Sequence, residues 1–263
     1  MLLANRHILR IKGENVFKFL QGLITQDIES SQNVLATAFL NPKGRVMSDA
    51  IIYRSKPDEV MLDLPADQSD KIRTLLIRHK LRLPLSIDSI PELGIYYSTD
   101  GEIVDPRHSS LPKRTVKAAN VDQIADFSEP LEYKKLRLLA GIPEGTECLD
   151  VVPIFYNFDL FNAISFNKGC YTGQELVTRT VRRGIVRKRL FVVSGNKSFS
   201  IGDEVKENGE SIGTVISAVD NVALALLSFS QGLNEGLQML NAIQGKRFQI
   251  NGNEILLSVP PYI

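Results

Sequence analysis

The last third of the chain contains short apolar runs that are separated by turn residues at even intervals. The runs follow Gly184 and read KRLFVVSG, IGDEVKENGESIGTVISA, NVALALLSF and KRFQINGNEILLSV. Strand and turn signals at this spacing are typical of a small antiparallel barrel or sandwich. The pattern predicts an all-β unit that begins near residues 190 to 195.

The residues before this unit mix helical and strand patterns. A strand-like segment at 6–11 precedes apolar residues at helical spacing, which are Val16, Phe17, Leu20, Leu23 and Ile24. Two apolar runs flank NPKG and predict a hairpin, and PLEYKKLRLLAGIPEG predicts a helix that stops at Gly141. The fold class is therefore α+β, with an α+β domain at 1–190 and a C-terminal antiparallel β-barrel domain at 191–263.

Composition excludes several classes of protein. With 263 residues the chain can bury a core without metal or disulfide staples, and 31 Lys plus Arg against 30 Asp plus Glu do not favour a nucleic-acid binder. No run of about 18 apolar residues is present to span a membrane. Two cysteines and three histidines give no metal-ligand spacing, so we expect no stably bound metal and a reducing, cytoplasmic location.

Cys170 lies in KGCYTGQELVTRT between two glycines. Thr172 to Glu175 matches a capping box, so a helix is predicted to begin there, with Cys170 just ahead of its N-terminus. A helix N-terminus and nearby cations stabilise a thiolate. The alternative is a small buried residue in a turn, and local sequence leaves both open. Cys148 lacks basic neighbours and is interpreted as structural.

Two further features have alternative interpretations. The basic run RTVRRGIVRKR is either an anion clamp or one solvated face of a strand, and its charged residues are Arg179, Arg182, Arg183, Arg187, Lys188 and Arg189. Asp49 is a carboxylate inside an apolar strand, where it either binds a ligand amine or faces water.

The stretch ISFNKGCYTGQELVTR resembles the signature of the YgfZ family. These are folate-binding proteins that assist iron–sulfur cluster assembly and are related to the T-protein, the aminomethyltransferase of the glycine cleavage system. Further matches are spread over the chain: FLQGLITQDI, NPKGRV, DPR at 105–107, LRLLAGIPEG, PIFYNFDL, RRG at 182–184 and VPPY. The resemblance implies a T-protein-like folate-binding body of two lobes plus the C-terminal barrel lobe.

The resemblance also implies site residues. The signature falls on Lys168, Gly169, Cys170, Tyr171, Gly173, Gln174 and Glu175, with Cys170 as the functional thiol. An acidic pair of the T-protein relatives falls on Ser48 and Asp49, so one carboxylate is missing. Two tryptophan positions of some relatives fall on Arg6 and Tyr133. The implied folate contacts are Asp49, Tyr133, Asn157, Arg6 and Arg183.

Two functions follow as hypotheses. The first is a tetrahydrofolate-binding accessory protein that supports assembly or repair of iron–sulfur clusters in client enzymes, including tRNA-modifying ones, with Cys170 as its thiol. The second is a folate-dependent aminomethyl or one-carbon transferase that relies on Asp49. The expected cofactor is tetrahydrofolate or a one-carbon derivative. The expected partners are iron–sulfur client or carrier proteins, with neither a membrane nor direct nucleic-acid contact.

Overall fold

The computed structural model describes residues 1–30, 32–119, 128–182 and 184–263. The chain forms two compact units. The first contains Met1–Pro130, Glu144–Asp150 and Asn162–Gln174, and the second contains Leu131–Pro143, Val151–Phe161 and Glu175–Ile263. The chain therefore passes between the units five times. The boundary predicted at 190/191 stays a prediction.

The first unit is built on a five-stranded antiparallel sheet. Its strands are β1 (Arg6–Lys12), β2 (Val34–Leu40), β3 (Val46–Lys56), β4 (Glu59–Pro65) and β5 (Ser86–Ser89). They lie in the order β2-β3-β4-β1-β5, and β2 and β3 form the hairpin predicted around NPKG. Gly44 has φ 75°, a backbone conformation that glycine adopts without a steric penalty.

Two helices and a second hairpin complete the described part of the first unit. Helix α1 (Val16–Gln21) ends earlier than the apolar spacing predicted, because Leu23 lies in the following turn and Ile24 forms an isolated β-bridge with Phe39. Helix α2 (Ala66–Lys80) buries Ile72 and Leu76 in the core of the sheet. Strands β6 (Leu93–Ser98) and β7 (Lys113–Ala118) pair with each other, and a 3₁₀ turn covers Gly145–Cys148.

The second unit contains a closed antiparallel barrel of six strands. They are β8 (Lys188–Ser194), β9 (Glu204–Glu207), β10 (Glu210–Val219), β11 (Val222–Ser228), β12 (Phe248–Ile250) and β13 (Asn253–Ser258). The barrel predicted from the even strand spacing is thereby confirmed. Closure leaves no unpaired sheet edge, and side chains such as Phe191, Val205 and Leu227 fill the interior.

Three helices belong wholly or mainly to the second unit: α3 (Leu131–Leu139), α4 (Gln174–Arg182) and α5 (Gly236–Ile243). The predicted helix before Gly141 is α3, and Gly141 ends it with φ 73°. A 3₁₀ turn at Pro153–Tyr156 contacts β8. Within the residues described, no helix is both long and apolar enough to cross a bilayer.

Candidate functional site

The segment 162–174 of the first unit carries the signature residues except Glu175, which belongs to the second unit, and we call this segment the motif loop. Cys170 is exposed on this loop, whereas Cys148 is fully buried. Exposure removes the alternative in which Cys170 is a buried packing residue. The thiol is accessible to a reagent or to another protein, which is a condition for chemistry.

Lys168 anchors the motif loop two residues before the thiol. Its Nζ donates hydrogen bonds to the carbonyl oxygens of Ile24 and Gln26, each at 2.8 Å, and lies 5.1 Å from the ring centroid of Tyr171. Burial lowers the pKa of Lys168 to about 8, although Asp27 and Glu29 oppose this shift. Lys168 therefore holds the loop against the segment that follows α1.

Gly173 anchors the other side of the thiol. It has φ 81°, and an added Cβ would lie 2.6 Å from the carbonyl oxygen of Asn41 and 3.0 Å from Cα of Gly44. Beside it, the backbone N–H of Thr172 donates to the carbonyl of Gly22 at 3.0 Å. Only glycine allows the loop to approach the hairpin this closely.

Gly169 has room for a Cβ atom in the motif loop, whereas Gln174 forms a hydrogen bond within it. Gly169 lies in open space, since an added Cβ would meet no atom of the described part of the chain within 4 Å. Helix α4 begins at Gln174, later than the Thr172–Glu175 capping box predicted, and Gln174 Oε1 accepts a hydrogen bond from the backbone N–H of Tyr171 at 3.1 Å. The side chain that stabilises the turn before α4 is thus that of Gln174. Glu175 is exposed.

The first unit also contains a cluster of buried charges, which we call the buried charge network. Its members are three arginines and four carboxylates: Arg6, Arg107, Arg114, Asp49, Asp63, Asp105 and Glu144. None is more than 7% exposed. Charges that leave water need partners, and here each one has at least one oppositely charged neighbour.

Arg6 joins two carboxylates of the buried charge network. Its Nη1 donates to Asp49 Oδ2 at 2.8 Å, and its Nε donates to Asp63 Oδ1 at 2.6 Å. Asp49 Oδ1 accepts a second hydrogen bond from the N–H of Gly145 at 2.8 Å. The structure thus brings the predicted site residues Arg6 and Asp49 together, and both oxygens of the carboxylate already have donors.

Arg114 has no exposed surface and links Asp63, which Arg6 also contacts, to Asp105. Its Nη1 donates to Asp63 Oδ2 at 2.7 Å, and its Nε donates to Asp105 Oδ2 at 2.8 Å. Arg107 also donates to both oxygens of Asp105 and pairs with Glu144. Burial raises the pKa of Asp105, but Arg107 and Arg114 more than offset this and hold it at about 2.

Sequence reasoning singled out Arg6 and Asp49 but missed the other members of this network. A signal was present for Asp63, which is a carboxylate in the apolar run EVMLDLP as Asp49 is in its own strand. The DPR match had marked Asp105 and Arg107 without assigning them a role. No comparable pattern singles out Arg114.

In the second unit, Asn157 contacts the C-terminal segment. Its Nδ2 donates to Tyr262 Oη and to the carbonyl of Leu190, each at 3.0 Å, and Tyr262 Oη donates to the carbonyl of Gly141 at 2.9 Å. Asn157 Oδ1 is buried, and no residue that the structure describes donates to it. This oxygen is a buried acceptor with unused capacity.

The other predicted site residues are placed as follows. Tyr133 is fully buried on α3. Arg183 lies outside the described residues. Arg189, from the basic run, is buried and pairs with Asp159 through two nitrogens at 2.6 and 2.9 Å. Arg179, Arg187 and Lys188 are exposed. The predicted electrostatic activation of Cys170 stays a prediction.

Potential metal ligands are dispersed in the described part of the chain. Among the residues with described positions, no group of three or more His, Cys, Asp or Glu side chains has an arrangement that could hold a metal ion. The carboxylates of the buried charge network instead face arginines.

Comparison with a solved structure defines the class of fold. The glycine cleavage system aminomethyltransferase T from Bartonella henselae matches with a TM-score of 0.73, over 100% of this chain and 85% of that one, at 14% identity. The chain therefore has the fold of this aminomethyltransferase, which confirms the predicted T-protein-like α+β architecture. Residues 187–262 match the family model described as CAF17, C-terminal beta-barrel domain.

Sequence relatives define the family. A homologue of the iron-sulfur cluster assembly factor IBA57, mitochondrial, from Pyricularia oryzae is 31% identical, with 85% of this chain matched to 70% of the relative. The human factor of that name is 27% identical, over 86% of this chain and 76% of its own length. Another from Neurospora crassa is matched over 52% of its length. The chain belongs to the IBA57 family.

Proposed function

We propose that this protein is an accessory factor that supports the assembly or repair of iron–sulfur clusters, and that Cys170 is its functional thiol. One observation carries the proposal: Cys170 is exposed on a loop that Lys168 and Gly173 anchor on either side. A thiol that served only packing would be buried. The relatives from Pyricularia oryzae and human are both named iron-sulfur cluster assembly factors, which supports the same role.

The role of Cys170 depends on a partner. The usual clusters are held by about four protein ligands, and one cysteine supplies one. Cys170 would contribute a ligand, or a redox-active thiol, to a cluster whose other ligands belong to a client or carrier protein. The proposed clients include enzymes that modify tRNA. We also propose that this protein belongs to the folate-binding YgfZ branch.

Tetrahydrofolate is the proposed cofactor, and it would supply a carrier for one-carbon groups. Asn157 fits such a ligand, because its buried Oδ1 has no donor among the described residues and a pterin ring carries several N–H donors. Asp49 and Arg6 fit less directly, since their charged atoms already pair with each other. Tyr133 and Arg183 stay predicted contacts.

A second candidate function is an aminomethyl or one-carbon transferase, because the fold is that of an aminomethyltransferase. The state of Asp49 weighs against it. Both carboxylate oxygens accept hydrogen bonds within the first unit, so a folate amine would have to displace one donor. Ser48 also leaves the acidic pair of the transferase relatives incomplete.

The location and the remaining partners stay predictions. The sequence predicts a cytoplasmic protein without direct membrane or nucleic-acid contacts. The relatives, by contrast, are named mitochondrial.

Complementation in cells lacking the native protein tests the thiol. We expect Cys170→Ser to abolish support of an iron–sulfur enzyme, such as a tRNA methylthiotransferase. Cys148→Ser, which alters the buried cysteine, controls for the loss of a thiol, and the amount of folded protein is measured for each variant. Loss of support with Asp49→Asn but not with Cys170→Ser would favour the transferase instead.

Calorimetric titration tests the cofactor separately. We expect heat from tetrahydrofolate binding to the wild type and a weaker response from Asn157→Ala, provided that its thermal unfolding shows a folded protein. No heat at millimolar ligand would remove folate from the proposal while leaving the role of Cys170 untouched.

A further inference from the structure

The second unit contains a pocket of about 350 Å³ beside the end of α4, and we call it the basic pocket. Four apolar and four polar residues line it: Val152, Phe155, Leu176, Ile185, Arg179, Thr180, Arg187 and Lys188. Leu176, Arg179 and Thr180 come from one face of α4, at positions i, i+3 and i+4. Val152 and Phe155 come from the 3₁₀ turn at Pro153–Tyr156 and the residue before it, and the others come from the segment before β8 and its first residue.

Apolar side chains form one part of the basic pocket. Val152 is buried and Phe155 is half-buried, so they offer a firm surface. Ile185 is 54% exposed, although a large apolar side chain gains free energy when it leaves water. This part of the pocket can accept an apolar or aromatic side chain.

Three cations form the other part. The side chains of Arg179, Arg187 and Lys188 make no hydrogen bond or ion pair with any residue whose position is described, and no acidic residue is among the described residues that line the pocket. The neighbouring Arg189 is different, because Asp159 pairs with it. The carbonyl groups at the C-terminal end of α4 can stabilise the charge of Arg179. Arg187 and Lys188 lie beyond the helix, so the helix does not stabilise their charges.

We propose that the basic pocket binds an acidic segment of a partner protein. An apolar side chain of the segment enters between Phe155 and Ile185, and flanking carboxylates pair with Arg179, Arg187 and Lys188. Guanidinium groups bind carboxylates through two parallel hydrogen bonds, which sets the orientation of the segment. The proposed function needs a partner but assigns it no surface, so this site goes beyond it.

The lining favours a protein over single-stranded RNA. Proteins that bind single strands stack successive bases on several aromatic side chains. Among the described residues that line this pocket, Phe155 is the one aromatic. An apolar pocket with a charged rim instead matches a peptide in which one apolar side chain is flanked by acidic residues.

Fluorescence anisotropy with a labelled peptide tests the site. The probe is fluorescein-labelled Asp-Glu-Asp-Phe-Glu-Asp, measured at low and at high salt. We expect binding that weakens as salt is added, because exposed charge pairs are screened. The peptide with Asn and Gln in place of its acids should lose binding, and the peptide with Ser in place of Phe should bind more weakly.

Matched charge reversals locate the binding. Arg187→Glu and Lys188→Glu should each weaken the peptide at least about tenfold, which corresponds to roughly 1.4 kcal/mol. Arg247→Glu is the control, because Arg247 is an exposed arginine before β12 and its reversal changes the net charge equally. Thermal unfolding verifies that each variant folds.

Several outcomes would overturn the proposal. These are no binding of the acidic peptide at low salt, equal weakening by Arg247→Glu, and tighter binding of oligouridine that Arg187→Glu abolishes. The last result would assign the pocket to RNA. Cys170→Ser should bind the peptide as the wild type does, so this site and the proposed function can fail independently.

Discussion

Lys168 donates a hydrogen bond from Nζ to the carbonyl oxygen of Gln26 at 2.8 Å, which ties the motif loop to the segment after α1. Lys168→Met removes this donor and leaves the carbonyl oxygens of Ile24 and Gln26 without their hydrogen bonds to Nζ. We expect a loss of about 1–3 kcal/mol in the free energy of unfolding, measured with urea. Lys43→Met, at an exposed hairpin lysine, is the control, and an equal loss there would contradict the anchoring role.

The pKa of Lys168 gives this anchor a pH dependence. Its value is about 8 in the folded protein and 10.5 in a free side chain, so between these values the unfolded state binds more protons. Stability from this group therefore rises with pH across that window. The neutral amine keeps two N–H donors for the two carbonyls. We expect the stability difference between wild type and Lys168→Met to grow from pH 8 to 10.5, and a constant difference would refute this.

The two glycines beside the thiol should respond differently to alanine. Gly173→Ala adds a Cβ against the hairpin at a positive φ, and we expect it to cost at least about 1–2 kcal/mol. Gly169→Ala enters open space and should stay within about 0.5 kcal/mol of wild type. Urea unfolding of both variants checks this, and a larger loss for Gly169→Ala would reverse the interpretation.

The buried charge network should tolerate the loss of a cation poorly. Arg114→Met leaves Asp63 and Asp105 short of a partner, so we expect a loss of about 3–5 kcal/mol in denaturant unfolding. Arg10→Met is the matched control, since Arg10 lies 3.9 Å from Asp88 in a half-exposed pair worth about 0–1 kcal/mol. Similar losses for both variants would show that burial is unimportant here.

Acid should destabilise the same network. Asp105 has a pKa of about 2 in the folded protein and 3.8 when free, so its stabilising contribution is present above pH 3.8 and is lost as pH falls toward 2. We expect the unfolding free energy to fall between these values, and to fall less steeply in Asp105→Asn. Equal slopes for the two proteins would show that Asp105 is not responsible.

Local patterns in the sequence predicted the secondary-structure elements better than they predicted the tertiary contacts. The barrel strands and the NPKG hairpin were predictable, because alternating apolar residues and turn residues specify strands over short distances. Leu23 follows α1 and is buried although it lies in a turn. Its helical spacing from Leu20 was therefore misleading, because apolar residues in a turn pack on the core without a regular period.

The site contacts depend on residues that are far apart in sequence. Lys168 bonds to carbonyls more than 140 positions away, and Arg6 pairs with Asp63 across 57 positions. Backbone carbonyls carry no residue-specific signal, so their pairing with Lys168 could not be predicted. Full-length resemblance marked Lys168 and Gly173 as important but gave no physical reason for either.

The repeated passage of the chain between the two units determines the order of events on the ribosome. The first unit has all its segments once Gln174 is made, but α3 contacts β10 and β11, which are synthesised roughly 70 to 90 residues later. At bacterial or eukaryotic elongation rates this delay is on the order of ten seconds. During that time the side of α3 that packs on the barrel has no barrel to contact, so the second unit can fold only after most of the chain has been made.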